Sequence, residues 1–338
     1  MTVRVGINGF GRIGRQVVRA ALSAGSRDME IVAVNDLTDP ATLAHLLKHD
    51  SIHAPIEETV ESRGDSIVVD GVPIRVLSHA DPAALPWDEL GVEVVLEATG
   101  RFTKASHARR HLDAGAKKVL VSAVSQGADV TVVIGVNHDR YDPENHHVIS
   151  NASCTTNCLV PMVKVVRDNF GFVRGSMVTV HSYTNDQNIL DAPHRDLRRA
   201  RAAALSIIPT TTGAAQATSL VMPELEGRID GVSYRVPTAD VSITDLTVAV
   251  GRAVTIREVN EAFAFAASTE PLKGILRYSE EELVSRDFIG DPHSCIVDAK
   301  STGVVDGTLV RIAAWYDNEW GYACRCVDLL RLIGSQRR

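Results

Sequence analysis

The sequence predicts an α/β protein of two domains, the first around a parallel sheet with helices on both faces and the second an α+β unit. Two patterns support this prediction. In the first third of the chain, short apolar runs alternate with helix-compatible segments, which is typical of parallel strands joined by helices. After about residue 150, longer runs with partial alternation favour a mixed, largely antiparallel sheet.

The elements of the first domain follow from these runs. We predict buried strands at residues 3–7, 31–34, 92–97 and 119–121, because each is a short, nearly continuous apolar stretch. Helices are predicted between them at residues 12–24, 42–48 and 107–115.

The rest of the chain contains the runs expected of the other sheet. Strands are predicted at residues 173–181, 231–236, 241–250, 296–298 and 309–316, with a helix at 256–267. A last helix at 319–333 is expected to pack on the first domain. We therefore predict a first domain of residues 1–153 and 318–338, and a second domain of residues 154–317.

Composition restricts the class of function. The net charge of the 338 residues is −7 without an acidic or basic block, so neither nucleic acid nor an anionic membrane is expected as the main partner. No run approaches the roughly 18 consecutive apolar residues of a membrane helix, and the start lacks a signal-peptide layout. Five cysteines in so long a chain do not form a disulfide framework. We expect a cytoplasmic protein.

A glycine-rich turn follows the first predicted strand. Gly9, Gly11 and Gly14 form a G-x-G-x-x-G that opens a helix, and Asp36 ends the second strand about 20 residues later. The glycines permit close approach of a pyrophosphate, and the helix start offers unpaired N–H groups to its oxygens. Asp36 can accept hydrogen bonds from ribose hydroxyls and repel a 2′-phosphate. These features predict a Rossmann-type domain that prefers NAD, with NADP use left open; a glycine turn for helix packing alone is the alternative.

Cys154 is the candidate nucleophile. Ser153 suits the N-cap of the apolar helix that follows, which places Cys154 in the first turn, where the helix dipole and free N–H groups favour the thiolate. His181 ends an apolar strand beside a polar run and is the candidate base. From the residues alone, packing roles for both side chains remain open.

These residues lie in long runs that resemble the glyceraldehyde-3-phosphate dehydrogenase family nearly end to end. The matching runs are GINGFGRIGR at 6–15, EATGRFTK at 97–104, SNASCTTNCL at 150–159, HSYTNDQ at 181–187, PHRDLRRARA at 193–202, SIIPTTTGAA at 206–215, RVPT at 235–238 and WYDNEWGY at 315–322. The resemblance implies a homotetramer in which a long loop near residues 183–205 reaches the neighbouring subunit's cofactor pocket.

The resemblance also implies a reaction. Cys154 attacks the aldehyde carbon of glyceraldehyde 3-phosphate, and His181 takes the proton while NAD is reduced. Inorganic phosphate then cleaves the thioester to give 1,3-bisphosphoglycerate.

The binding residues are likewise implied by the resemblance. Thr184 and Arg235 match the site for the phosphate of the substrate. The attacking phosphate is implied at Ser153, Thr155, Thr212 and Gly213, with Arg199 shared between the two sites. The cofactor groove is implied to include Arg12, Ile13, Thr99, Gly100, Ser122, Asn318 and Tyr322.

Departures from the family pattern and alternative functions stay open. Ala192 stands where NAD-specific members usually carry leucine, and Gln216 replaces a common lysine, a loss of charge that would weaken the attraction of phosphate. An erythrose-4-phosphate dehydrogenase-type enzyme, which hydrolyses the thioester, and a catalytically silent nucleotide-binding homologue are the alternative functions. His45, His49 and His53 recur at helical spacing, but their segment enters a turn and we predict no metal site.

Overall fold

The structure is a computed structural model that describes residues 2–25 and 28–336. The chain divides into two compact units, described separately below. The first unit comprises Met1–Val132, Asp139–Ala152 and Ala323–Arg338, and the second comprises Val133–His138 and Ser153–Tyr322. Residues 133–138, 153 and 318–322, which we predicted in the first domain, thus fall in the second unit.

The first unit contains the strands β1 Val3–Asn8, β2 Met29–Asn35, β3 Val60–Arg63, β4 Ser66–Val69, β5 Val72–Leu77, β6 Val94–Glu97, β7 Lys118–Val121, β8 Val130–Thr131 and β9 Val148–Ser150. Its helices are α1 Arg12–Ser23, α2 Pro40–Lys48, α3 Ala105–Ala108 and α4 Arg110–Asp113. The predicted helix at 107–115 is therefore two short helices that meet at Arg109.

The strands of the first unit form one sheet in the order β3-β4-β5-β2-β1-β6-β7-β9-β8. From β5 to β8 every neighbouring pair is parallel, while β3, β4 and β5 pair antiparallel. Because β1 lies between β2 and β6, the residues that follow these three strands meet at one edge of the sheet. This edge is where the sequence places Gly9, Asp36 and Thr99.

The second unit contains the strands β10 Phe172–Ser182, β11 Ile208–Thr211, β12 Ile229–Val236, β13 Ser242–Val250, β14 Leu276–Ser279, β15 Cys295–Val305 and β16 Leu309–Tyr316. Its helices are α5 Cys154–Phe170, α6 Ala214–Val221 and α7 Ile256–Ser268, and α8 Trp320–Ser335 starts here and continues in the first unit. Within residues 2–25 and 28–336, no helix combines the length and apolarity that crossing a membrane requires.

The second sheet has the order β11-β12-β10-β13-β16-β15-β14. Four of its neighbouring pairs are antiparallel, and the β10/β12 and β14/β15 pairs are parallel. The predicted fold class, a mainly parallel first sheet and a mixed, largely antiparallel second sheet, is confirmed. The parallel β10/β12 register sets His181 opposite Arg235, so the sheet itself brings these two residues together.

Candidate active site

Cys154 is the first residue of α5. Ser153 caps this helix, because its Oγ accepts a hydrogen bond from the backbone N–H of Thr156 at 3.0 Å. Just before the cap, Ala152 has a φ of 54°, a left-handed conformation that is uncommon for alanine and that turns the chain into the helix. The predicted position of Cys154 in the first turn is correct, and its side chain is half-buried.

His181, the penultimate residue of β10, faces Cys154. Its Nε2 lies 3.5 Å from the Cys154 Sγ, and its Nδ1 lies 2.7 Å from the carbonyl oxygen of Ser182. Since a carbonyl oxygen only accepts hydrogen bonds, Nδ1 carries the proton and Nε2 presents its lone pair to the sulfur. The geometry therefore suits Nε2 to accept a proton from the thiol or from a group bound to the sulfur.

Burial controls the charge of this pair. It raises the pKa of the Cys154 thiol to about 11, against the opposing effect of the Arg235 guanidinium. Burial, with a further contribution from Arg235, lowers the pKa of His181 to about 3. Both shifts favour the neutral thiol and the neutral imidazole over the ion pair. Burial therefore opposes the thiolate that we expected at this helix start, whereas Arg235 and the hydrogen bonds from Thr155 favour it.

Arg235 contacts His181 on the side of Nδ1, and Arg199 belongs to the same polar cluster. Arg235 Nη1 donates to Thr184 Oγ1 at 2.8 Å and to the Ser182 carbonyl at 3.1 Å, and it lies 3.3 Å from His181 Nδ1. Arg199 pairs with Asp186, whose other carboxylate oxygen accepts from Thr184. The structure thus brings Thr184, Arg199 and Arg235 into one cluster.

Asp186 joins this cluster, and our sequence analysis missed it. Burial tends to raise its pKa, but Thr184 and the two arginines lower it overall, so it is held as a carboxylate. The HSYTNDQ run contained the signal, since it places an acid two residues after a predicted phosphate ligand.

Thr155 differs from the other predicted phosphate ligands. It is buried, and its Oγ1 lies 2.9 Å from the Tyr316 hydroxyl, which lies at the same distance from Thr179 Oγ1. The Tyr316 ring also meets the His181 ring edge-on, with centroids 6.0 Å apart. In this arrangement the Thr155 hydroxyl binds Tyr316, whereas Ser153, two residues earlier, is only partly buried and contacts Thr156.

Thr212 and Gly213 precede α6, which packs against α5. Gly213 is the N-cap and gives no side-chain hydrogen bond to the helix, while Thr212 Oγ1 accepts from the Ala214 N–H at 3.2 Å. A helix start of this kind leaves N–H groups for an anion.

The first unit holds a cleft of about 250 Å³ at the predicted edge of its sheet. The cleft is lined by Asn8, Gly9, Gly11, Asn35, Asp36, Leu37, His79, Ala80, Ala98, Thr99, Arg101 and Phe102. Four predicted cofactor residues therefore belong to one cavity: Gly9, Gly11, Asp36 and Thr99.

The glycines show that the turn suits a closely bound ligand. Gly9 has a φ of 93°, and a Cβ there would lie 2.6 Å from the backbone nitrogen of Thr99. A Cβ on Gly11 would meet no atom of the described residues within 4 Å, so it would occupy open space at the cleft. Gly11 is the N-cap of α1 and makes no side-chain cap, which leaves N–H groups at that helix start for phosphate oxygens.

The remaining predicted cofactor residues are placed as follows. Arg12 and Ile13 begin α1, and the Arg12 guanidinium binds Asp50 at 2.6 Å. Gly100 follows Thr99 with a φ of 69°, and Ser122 Oγ donates to the Glu97 carbonyl at 3.0 Å. In the second unit, Tyr322 is buried, and Asn318 Oδ1 accepts from Ser182 Oγ at 2.9 Å and from Ser242 Oγ at 2.7 Å.

Comparison with known proteins places this geometry in a family. Residues 3–105 match the NAD binding domain of glyceraldehyde 3-phosphate dehydrogenase, and residues 153–318 match the C-terminal domain of the same enzyme. The NAD-binding match confirms the predicted cofactor.

Curated relatives align over the whole chain. Glyceraldehyde-3-phosphate dehydrogenase of Streptomyces coelicolor is 59% identical over 336 residues, covering 99% of this chain and 100% of the relative. The enzyme of that name from Geobacillus stearothermophilus is also 59% identical, with 99% of each chain covered. Glyceraldehyde-3-phosphate dehydrogenase 1 of Bacillus cereus is 57% identical over 98% of this chain and 99% of its own. Because both domains of the family match and this identity extends over nearly the whole chain, the chain belongs to the glyceraldehyde-3-phosphate dehydrogenase family.

Proposed function

We propose that this protein oxidises D-glyceraldehyde 3-phosphate with NAD and inorganic phosphate to 1,3-bisphosphoglycerate through a thioester on Cys154. The reaction is reversible and serves glycolysis or gluconeogenesis. The observation that carries the proposal is the 3.5 Å contact between Cys154 Sγ and His181 Nε2 at the start of α5, in a chain of this family.

NAD fits the cleft of the first unit. Gly9, Gly11 and the start of α1 are assigned to its pyrophosphate and Asp36 to a ribose, with Arg12 acting through its backbone because Asp50 holds its guanidinium. Ile13, Thr99, Gly100 and Ser122 are assigned to the rest of the groove. When bound, NAD supplies the acceptor for the hydride that leaves the substrate carbon.

Asn318 and Tyr322 of the second unit are assigned to the nicotinamide end of the cofactor. The two serine hydroxyls that donate to Asn318 Oδ1 fill its acceptor sites, so the amide NH₂ is the group left to bind a carboxamide oxygen.

Cys154 and His181 carry the covalent chemistry. The thiol proton passes to the substrate oxygen by way of Nε2 as sulfur bonds to the aldehyde carbon, giving a hemithioacetal. Nε2 then takes the hydroxyl proton while the carbon is oxidised to the thioester. When phosphate attacks the thioester carbon, the carbon–sulfur bond breaks, and the imidazolium returns its proton to Cys154.

The charged cluster around His181 supports the two phosphate sites. Thr184 and Arg235 are assigned to the phosphate of the substrate, because their direct contact presents a hydroxyl and a guanidinium together. The attacking phosphate is assigned to Ser153, Thr155, Thr212 and Gly213, and the Thr155 hydroxyl must exchange its contact with Tyr316 for the ligand. Arg199 is shared, and it must exchange its ion pair with Asp186 for the ligand.

The test is NADH formation from glyceraldehyde 3-phosphate with and without inorganic phosphate. We expect sustained turnover only with phosphate; equal turnover without it contradicts the proposal and favours the erythrose-4-phosphate dehydrogenase-type alternative. Cys154→Ser should abolish oxidation and retain NAD binding, while Cys324→Ser, which changes a thiol on α8, serves as the matched control. A Cys154→Ser variant that still turns over would refute the nucleophile assignment. Parallel assays with NAD and NADP determine the preference.

We also propose a cytoplasmic homotetramer. The segment between β10 and β11 exposes large apolar side chains, which favours burial against another subunit: Ile189, Leu190, Leu197, Leu205 and Ile207. Light scattering after size-exclusion chromatography should give four times the mass of one chain; a monomeric mass would contradict this assembly.

A further inference from the structure

A buried polar network lies next to the dinucleotide cleft, and the proposed chemistry does not use it. It runs through Trp87, His111, Glu97, Asn8 and Asn35, and each of these side chains is at most 4% exposed. Buried polar groups destabilise a fold unless they are hydrogen-bonded. Each donor in this network of five side chains therefore requires an acceptor within the network or on the backbone.

The donor at one end fixes the direction of the network. Trp87 Nε1 lies 3.0 Å from His111 Nδ1. An indole nitrogen only donates, so Nδ1 accepts and the imidazole carries its proton on Nε2. That nitrogen lies 3.0 Å from Glu97 Oε2 and donates to it. Trp87 thereby selects the His111 tautomer that serves Glu97.

Glu97 accepts four hydrogen bonds. Its Oε2 accepts from His111 Nε2 and, at 2.6 Å, from Asn8 Nδ2. Its Oε1 accepts from the backbone N–H of Thr99 at 2.8 Å and from the Thr99 hydroxyl. A carboxylate accepts at about four lone-pair sites, and so it suits these donors. The amide of glutamine has one acceptor oxygen and would set an NH₂ group against two of them.

Three of the four donors on Glu97, those of Asn8 and Thr99, belong to the wall of the cleft. Asn8 and Thr99 line it, and so does Asn35, whose Nδ2 donates to Asn8 Oδ1 at 2.7 Å. Asn35 Oδ1 in turn accepts from the backbone N–H of His79, another residue of the wall. Four side chains or backbone segments of the cleft therefore depend on one buried carboxylate.

We propose that Glu97 is a positioning residue for the dinucleotide, braced by His111 and Trp87, and that it sets Asn8 and Thr99 in the geometry that binds the cofactor. The inference depends on the proposed function only in naming NAD as the occupant of the cleft. Loss of this carboxylate should act on cofactor affinity rather than on the bond-making steps at Cys154.

The test measures NAD affinity by isothermal titration calorimetry, together with thermal stability, in the unmodified protein and four variants. Glu97→Gln should raise the Kd for NAD about tenfold, because two buried donors lose their acceptor. Its KM for NAD should rise in proportion, with kcat at saturating NAD changed far less. Glu97→Asp keeps an acceptor-only group and should restore part of the affinity.

Val95→Ala and Trp87→Phe separate positioning from stability. Val95 is a fully buried apolar residue of the same strand, and its truncation should lower the melting temperature without changing the Kd. Trp87 is the larger buried group, so Trp87→Phe should cost more stability than Glu97→Gln but less affinity. The inference is supported if Trp87→Phe loses more thermal stability than Glu97→Gln while Glu97→Gln loses more affinity for NAD.

Two results would overturn it. The first is that Glu97→Gln binds NAD as tightly as the unmodified protein. The second is that, across all variants, the loss of NAD affinity is proportional to the loss of melting temperature. If Glu97→Gln does not fold, Glu97→Asp replaces it with the same ranking. If the unmodified protein does not bind NAD, the proposed function is contradicted as well. If it binds NAD but Glu97→Gln binds equally well, only this inference fails.

Discussion

Replacing Arg235 with glutamine tests how the cluster beside His181 controls the reactive thiol. The Arg235 guanidinium opposes the rise in the Cys154 pKa that burial causes, so its removal should raise that pKa further. Arg235 Nη1 contacts His181, which contacts the Cys154 sulfur, so the guanidinium charge lies within about 9 Å of that sulfur. At this distance, and with an effective dielectric constant of about 20, a unit positive charge stabilises the thiolate by about 1.8 kcal/mol.

That energy corresponds to roughly a twentyfold lower thiolate population at any pH below the pKa of the thiol. Because only the thiolate is nucleophilic, the rate of Cys154 alkylation should fall by about the same factor. The assay follows carbamidomethylation of Cys154 in the cofactor-free protein by intact mass between pH 6 and pH 9. Arg235→Lys keeps the charge and should retain most of the rate. Equal rates for Arg235→Gln and the unmodified protein would refute this electrostatic account.

Three further changes address neighbouring parts of the structure. Burial raises the pKa of Asp50, but two backbone N–H groups and Arg12 outweigh it and lower that pKa to about 2. Asp50→Asn should therefore lose about 1–2 kcal/mol of unfolding free energy at pH 7, in urea titrations, and the loss should shrink as the pH falls from about 4 towards 2; a loss independent of pH would contradict the ion pair. Ser153→Ala should cost about 1 kcal/mol by the same measurement, because the Thr156 N–H loses its cap, whereas Ser153→Thr should retain stability. Gln216→Lys, in the first turn of α6, should lower the KM for inorganic phosphate about twofold in steady-state assays, and an unchanged KM would show that the position does not sense the anion.

Local patterns predicted the cofactor half of the fold well, because glycines and strand-end acids act over short distances. The G-x-G-x-x-G motif predicted where β1 ends, and in the structure Gly9, Gly11 and Asp36 line one cleft. The hairpin strands β3 to β5 were missed although Asp70 and Gly71, both at positive φ, are a strong turn signal. Strand β15 was predicted at 296–298 but extends from Cys295 to Val305. The prediction was too short because the later residues are less apolar and pair with β16 beyond an irregularity in register.

Long-range contacts were beyond sequence reasoning. The Cys154–His181 contact joins residues of different elements, and only the sheet register shows that Arg235 stands beside His181. The Glu97–His111 contact likewise appears only when the chain is folded, although an acid at the end of an apolar strand was a hint. The sequence also could not show the burial that raises the pKa of the Cys154 thiol, because burial depends on the whole fold.

The central claim is that Cys154 forms a covalent acyl intermediate. It is tested most directly by intact-mass analysis of the protein after addition of glyceraldehyde 3-phosphate and NAD in phosphate-free buffer. We predict a stoichiometric acyl adduct that peptide mapping locates on Cys154, that disappears on addition of inorganic phosphate, and that is absent from Cys154→Ser. Normal turnover with phosphate but no adduct without it would contradict the account, as would an adduct located on another residue.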